Sequence, residues 1–290
     1  MNRESRVIRA GCSASPLVQP GNGGGLELIY FDVLRLARGE ERVVDLPGFE
    51  VHLVPFTGTM DVEIDGTSFP GVGHRASIWD GHADSLYAGA GHPITLRAAT
   101  DNLEVAVAGG VTDQRFEPFR VRPDQVRCVE VGSTETKSRR RICHLLGQNG
   151  AGRAGNLLVS ELYAEEGCWS GYPPHKHDTD RVEPDKAMAQ VVETDHEELY
   201  HFRYRPETGF GAQFKYRDGE EPRVEMVRHG DSFAIPNGYH PTVTSPGHDG
   251  YIFTVLVGRN RRGLVQYFEP AHAHLIPHIP GIASMRKAFE

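Results

Sequence analysis

Residues 173–178 read Pro173-Pro174-His175-Lys176-His177-Asp178. In extended backbone, side chains two apart share a face, so His175 and His177 point the same way and can chelate one ion. A second piece follows at Glu197-Glu198, which opens the run ending at Tyr204. By the same alternation Glu198, Tyr200 and Phe202 share one face, while Glu197, Leu199 and His201 share the other. The aromatic pair marks the Glu198 face as inward. Glu197 is then turned away, and its change to Gln is expected to do little. The third piece runs from Gly230-Asp231 through Pro236-Asn237-Gly238-Tyr239-His240. It reads as a turn, a short strand and a tight corner that could aim His240 back at an interior. Three histidines and one glutamate suit a single divalent transition metal, Zn, Mn or Fe, with positions left open for a substrate.

Around this set the chain reads as all-β. It has 290 residues, and its 33 glycines and 19 prolines punctuate many short strand-like runs. Residues 1–25 are mostly polar, end in a glycine-rich stretch and read as a flexible arm. Short apolar runs then continue to about residue 112, with Asp65-Gly66 and Asp80-Gly81 as hairpin signals. From Asn156 a second series repeats that order of strands and turns. Two related β domains in tandem follow, over 26–125 and 126–290, with the histidine set only in the second. In the first, His52, His74, His82 and His92 are scattered singly. Lys137, Arg139, Arg140 and Arg141 read as a solvated turn. A net charge of −8 argues against nucleic acid and anionic membranes as partners. There is no signal-peptide pattern and no apolar run long enough to span a bilayer. The four cysteines, Cys12, Cys128, Cys143 and Cys168, contain no CxxC pair and read as free thiols in a reducing cytoplasm. A homo-oligomer is compatible with all of this.

The three pieces in order resemble the two-part signature of cupins, so the tandem domains are expected to be cupin-type β-sandwich barrels, a bicupin. The stretches WSGYPPHKHD, EELYHFRYRPETGFG, Gln213 in GAQFKYRDG and GDSFAIPNGYHP narrow the likeness. They resemble the 5-deoxy-glucuronate isomerase family of inositol catabolism, which is related to the 5-keto-4-deoxyuronate isomerases. GHRASIWDG and SLYAGAG extend the resemblance into the first half, so that it covers about residues 25–275. On the family pattern the metal ligands fall on His175, His177, Glu198 and His240. Two positions and one spacer depart from that pattern. Gly171 replaces a usual Ser, His74 a usual Gly, and the spacer between His177 and Glu198 is longer.

The resemblance implies conversion of an aldehyde to the neighbouring ketone of a deoxy sugar acid through an enediol, with the metal as Lewis acid. Proton transfer between the two carbons could fall to Glu198, Asp178 or Tyr200, or to a hydroxide on the metal. Tyr172, Gln213, Lys215 and Tyr239 are candidates for binding the sugar, and Lys215, Arg203 and Arg75 for its carboxylate. A metal-dependent dioxygenase and a non-catalytic sugar-acid binder are the other classes the set admits. The long spacer, residues 179–196, could cover the barrel mouth, its 186–192 segment forming a helical turn with Met188 and Val191 facing the pocket. Its acidic content equally suits a solvated surface loop.

Overall fold

Runs rich in Val, Ile, Leu and aromatic residues become antiparallel strands, and the glycines between them make the turns. The computed structural model describes residues 5–12, 15–22, 25–184 and 189–289. In the first half, a five-stranded sheet is ordered Phe119–Val121, Ser85–Ala88, Phe49–Thr57, Leu103–Val111, Ile29–Leu36. It packs on a four-stranded sheet ordered Glu41–Val44, Ile94–Ala98, Met60–Ile64, Thr67–Val72. Met60–Ile64 and Ile94–Ala98 alternate buried and exposed residues, so this outer sheet has one face in water. Leu53, Met60, Leu86, Leu96 and Val105 fill the space between the two sheets.

The second half repeats the plan on a larger scale. Its seven-stranded sheet runs Arg6–Ile8, Ser232–Ile235, His196–Arg205, Asp249–Gly258, Leu157–Ala164, Arg140–Leu146, Arg127–Val131. A four-stranded sheet, Trp169–Ser170, Thr242–Thr244, Phe210–Lys215, Arg223–Arg228, accompanies it. Phe202, Val227, Phe233 and Leu256 belong to the core of this half, which the C-terminal segment joins through Ile279, Ile282 and Met285. The two large sheets pack on each other through Phe31, Phe56, Tyr87, Leu157, Tyr251 and Phe253.

Polar groups buried between the halves are paired. Arg75 donates to Glu161 at 2.5 and 3.1 Å, and the hydroxyls of Tyr251 and Tyr163 donate to the same carboxylate. Glu50 accepts from the Tyr87 hydroxyl and from the amides of Gly155 and Leu157. Arg203 reaches Glu104 across the same boundary at 2.7 Å.

Four expectations from sequence need correction. The N-terminal stretch is not a free arm where it is described. Arg6–Ile8 adds an edge strand against Ser232–Ala234, and Val18 is buried in a bridge to Phe31. Gly23 and Gly24 of the expected arm lie outside the described residues. Cys128 and Cys143 are not free thiols: they face each other across neighbouring strands and are joined in a disulfide. That register brings together residues with no motif spacing to announce it. Cys12 and Cys168 are free. The long spacer is a β-hairpin, Arg181–Pro184 against Ala189–Glu193, so Val191 lies in a strand and not in a helical turn. Met188 lies outside the described residues. Finally, Arg140 is no part of a solvated turn, because it starts a strand paired on both sides and is 2% exposed.

The Arg75–Glu161 pair yields a stability test. Glu161→Gln leaves a buried guanidinium without its counter-ion, and should lower unfolding free energy by about 3–5 kcal/mol in urea titrations. The metal content of the folded fraction should not change.

Candidate metal centre

His196–Arg205 is paired on both sides, with Ser232–Ile235 and with Asp249–Gly258, which fixes its register. Glu198 and Tyr200 therefore face the cavity of the second half. Glu197 faces the other way and is fully buried, accepting hydrogen bonds from the amides of Glu27 and Leu28 and from Arg259. The expectation that Glu197→Gln would do little is thus corrected: the carboxylate fastens the start of the first half to the central sheet.

His175 lies in a strand of only two residues, paired with Tyr267–Phe268. Extended backbone carries the alternation on to His177. Lys176 points away and binds Asp178 and Glu193 at 2.5 and 2.8 Å. Asp178 also accepts from the Gly238 amide at 2.8 Å. Burial opposes its charge, but Lys176 and Gly238 hold the carboxyl well below the usual range. The residue next to His177 thereby pins the corner that carries His240. Gly238 is required at that corner: its φ is +84°, and a Cβ would meet the Tyr216 carbonyl at 2.8 Å. Gln213 secures the corner from behind, its amide donating to the His240 carbonyl at 2.9 Å.

The three imidazoles are oriented alike. Nδ1 of His175 faces the Pro173 carbonyl at 3.2 Å, that of His177 faces His196 at 3.1 Å, and that of His240 faces Gly238 at 2.8 Å. Each carbonyl needs an N–H there, which leaves Nε2 as the lone-pair nitrogen for a ligand. One ring nitrogen from each histidine lies within 4.8 Å of those of the others. Glu198 Oε2 stands 3.1 Å from Nε2 of His177 and 3.2 Å from that of His240. The second contact is short but misaligned, so His240 Nε2 is buried without a hydrogen bond. Burial together with His240 and His177 pushes His175 well below its ordinary pKa, favouring the neutral ring that a metal needs. Burial works against the Glu198 charge, yet the His177 and His240 rings bring its carboxyl down to about 2. Three imidazoles and one fixed carboxylate brought together, with one of the ring nitrogens lacking a hydrogen bond, fit a divalent cation.

The cavity measures about 40 Å³. His175, His177, Glu198, Tyr200, Arg140, Thr254 and Gln266 supply its polar lining, and Leu162, Leu256, Leu264 and Met285 are among its apolar residues. Tyr172, Gln213, Lys215 and Tyr239, expected to bind the sugar, do not line it. Tyr172 instead offers its carbonyl to Arg140 and packs its ring on Trp169, and Tyr239 packs on Tyr216. Asp178 and the described residues 179–184 and 189–196 do not line it either. Arg75 and Arg203 are taken by Glu161 and Glu104. Sequence reading missed Arg140 and Gln266. The signal for Arg140 was present, since its alternation with the apolar Ile142 places it on an inward face. A second cluster, His82 with Cys128 and Cys143, has its sulfurs joined to each other.

An all-β fold with a buried three-histidine, one-glutamate cluster defines a cupin-like protein. Oxalate decarboxylases from Bacillus subtilis share the fold at 12% identity and a TM-score of 0.55, over 83% of this chain and 71% of theirs. The sequence profile of the KduI/IolB family matches residues 9–275, and the chain belongs to that family. It is 30% identical over 266 residues to the 5-deoxy-glucuronate isomerase of Lacticaseibacillus casei, covering 90% of this chain and 93% of the relative. The same enzyme of Listeria monocytogenes is 29% identical over 249 residues, covering 84% and 87%. The crystal structure of an IolB-like protein from Salmonella typhimurium superposes with a TM-score of 0.79 at 30% identity, over 89% and 93% of the two chains. The chain is an enzyme of an isomerase family. No helix among the described residues is long and apolar enough to cross a membrane.

Alanine at His175, His177 or His240 should each lower metal affinity more than about tenfold, exceeding the loss of one supporting hydrogen bond. Equilibrium dialysis with elemental analysis measures this. Glu197→Gln should keep the metal but cost about 1–3 kcal/mol of stability, because the partners of its carboxylate are left poorly matched.

Proposed function

We propose that this protein is a metal-dependent isomerase converting 5-deoxy-glucuronate to 5-dehydro-2-deoxy-gluconate in the cytoplasmic catabolism of inositol. On this reading it is a bicupin of two tandem β-sandwich barrels, with the metal only in the second. The observation that carries the reading is the convergence of His175, His177, Glu198 and His240 in one buried cluster of a chain whose relatives bear that enzyme's name. These four residues would hold the metal, which would supply Lewis acidity to the carbonyl and the adjacent hydroxyl of the substrate. The apolar walls at Leu162, Leu256, Leu264 and Met285 keep water away from the reacting carbons.

The proton moves between two adjacent carbons, so its carrier must face the cavity. Asp178 does not, and its carboxylate is occupied by Lys176 and Gly238. Glu198 and Tyr200 do. Burial and the neighbouring Glu198 keep the Tyr200 hydroxyl protonated, which suits it to donate to the oxygen where negative charge develops.

Purified protein should contain about one divalent transition metal per chain and isomerise 5-deoxy-glucuronate, and both metal and turnover should be lost on chelation. Oxygen uptake with iron in place of isomerisation would identify a dioxygenase instead. Tyr200→Phe should retain the metal and lower kcat by about 10²–10⁴-fold, the usual scale for a proton-transfer group. Asp178→Asn should act mainly on stability and metal retention. Full turnover in Tyr200→Phe would remove that residue from the chemistry.

A further inference from the structure

Arg140 sits in the wall of the metal-ligand cavity at 2% exposure, yet no carboxylate among the described residues lies within ion-pair distance of it. Its guanidinium donates to two backbone carbonyls, Ser138 at 2.8 Å and Tyr172 at 2.9 Å. Two neutral acceptors leave the charge uncompensated and part of its five-donor fork unused. Burying an unpaired charge is costly, and the other deeply buried arginines do not bear that cost alone. Arg75 has Glu161, Arg203 has Glu104, and Arg262 lies in the field of Glu50. Gln266 is a second unmatched group in the same wall. It is 6% exposed, and its amide oxygen is buried with no hydrogen-bond partner. A planar cation and an unpartnered amide oxygen sharing one cavity are complementary to a carboxylate and a hydroxyl.

We propose that Arg140 and Gln266 form the subsite that binds the substrate's carboxylate and a neighbouring hydroxyl, making this cavity selective for sugar acids over neutral sugars. The proposal rests on the cavity being the site of sugar-acid isomerisation. Arg140 would take the carboxylate as a bidentate partner, placing the far end of the sugar toward the histidine cluster. The same arginine holds the Tyr172 carbonyl three residues before His175, so an anion on Arg140 also bears on the segment that carries that ligand.

The test uses the metal-loaded full chain and two probes, glucuronate and its neutral isostere glucuronamide, titrated by calorimetry beside 5-deoxy-glucuronate kinetics. Wild type should prefer glucuronate. Arg140→Met should weaken glucuronate about tenfold to a hundredfold, the scale of a charge-assisted hydrogen bond, and leave glucuronamide nearly unchanged. KM should rise in parallel, with metal content retained. Arg140→Lys should keep part of the preference, and Gln266→Leu should weaken both probes about fivefold to tenfold. If Arg140→Met fails to fold, Arg140→Lys and Gln266→Leu carry the test. Equal binding of both probes by wild type, or equal loss of both in Arg140→Met, would overturn the subsite. Isomerisation with unchanged KM in the Arg140 variants would remove the subsite and leave the isomerase standing. An Arg140-dependent preference for glucuronate in a protein that does not isomerise would do the reverse.

Discussion

Everything at this site depends on one strand that is buried on both faces. Nine of the ten residues of His196–Arg205 are buried, and the strand is hydrogen-bonded along both edges. A strand in that position cannot slip, because a one-residue shift would exchange its two faces. On one face it sends Glu198, Tyr200 and Phe202 into the second half's interior, and on the other Glu197, Leu199 and His201 toward the first half. The same alternation thus builds the histidine–glutamate cluster and the seam between the halves. Adjacent glutamates have opposite tasks: Glu198 faces two imidazoles, while Glu197 fastens two backbone amides and Arg259.

The cluster is supported by backbone. Carbonyls of Pro173, His196 and Gly238 set the tautomers of the three histidines, and Asp178 ties the His177 segment to the His240 corner. The pre-organisation therefore resides in a few short, irregular segments braced by a rigid sheet. Gln213, Lys176 and Asp178 work behind the candidate ligands, and replacing them would disturb the geometry of the cluster without removing a donor.

Much of this was legible in the sequence because period-two alternation is local. The inward set of Glu198 and Tyr200, the shared face of His175 and His177, and the outward Lys176 all follow from it. What was not legible depended on pairing between distant segments. Cys128 meets Cys143 only through the register of two strands, and the N-terminal Arg6–Ile8 finds its place only on an edge contributed by Ser232–Ala234. The sugar-binding candidates Tyr172 and Tyr239 lie close to the cluster residues in sequence, and Gln213 on a neighbouring strand, yet none of them lines the cavity. Arg140 was obscured by its neighbours, since a run of three arginines looks solvated until strand alternation separates the middle one from the other two.

The cavity is small for its proposed task. About 40 Å³ is far below the roughly 300–1,000 Å³ typical of ligand pockets, so a sugar acid must displace part of the wall. The walls are unequal. Ile142, Leu162, Thr254 and Leu256 stand on interior strands of the seven-stranded sheet, where each backbone is paired on both sides. Leu264, Gln266 and Met285 stand on the C-terminal segment, which is held by one short pairing at Tyr267–Phe268, a few isolated backbone bonds, side-chain hydrogen bonds at Arg262, Glu269 and Lys287, and the burial of Ile279, Ile282 and Met285. Side-chain burial without a continuous ladder is the weaker restraint, and such segments open first. The wall that can yield is thus the one that carries Gln266, while the wall that carries Arg140 stays fixed. On the proposed reading, a bound carboxylate would meet Arg140 on the paired sheet and Gln266 on the covering segment.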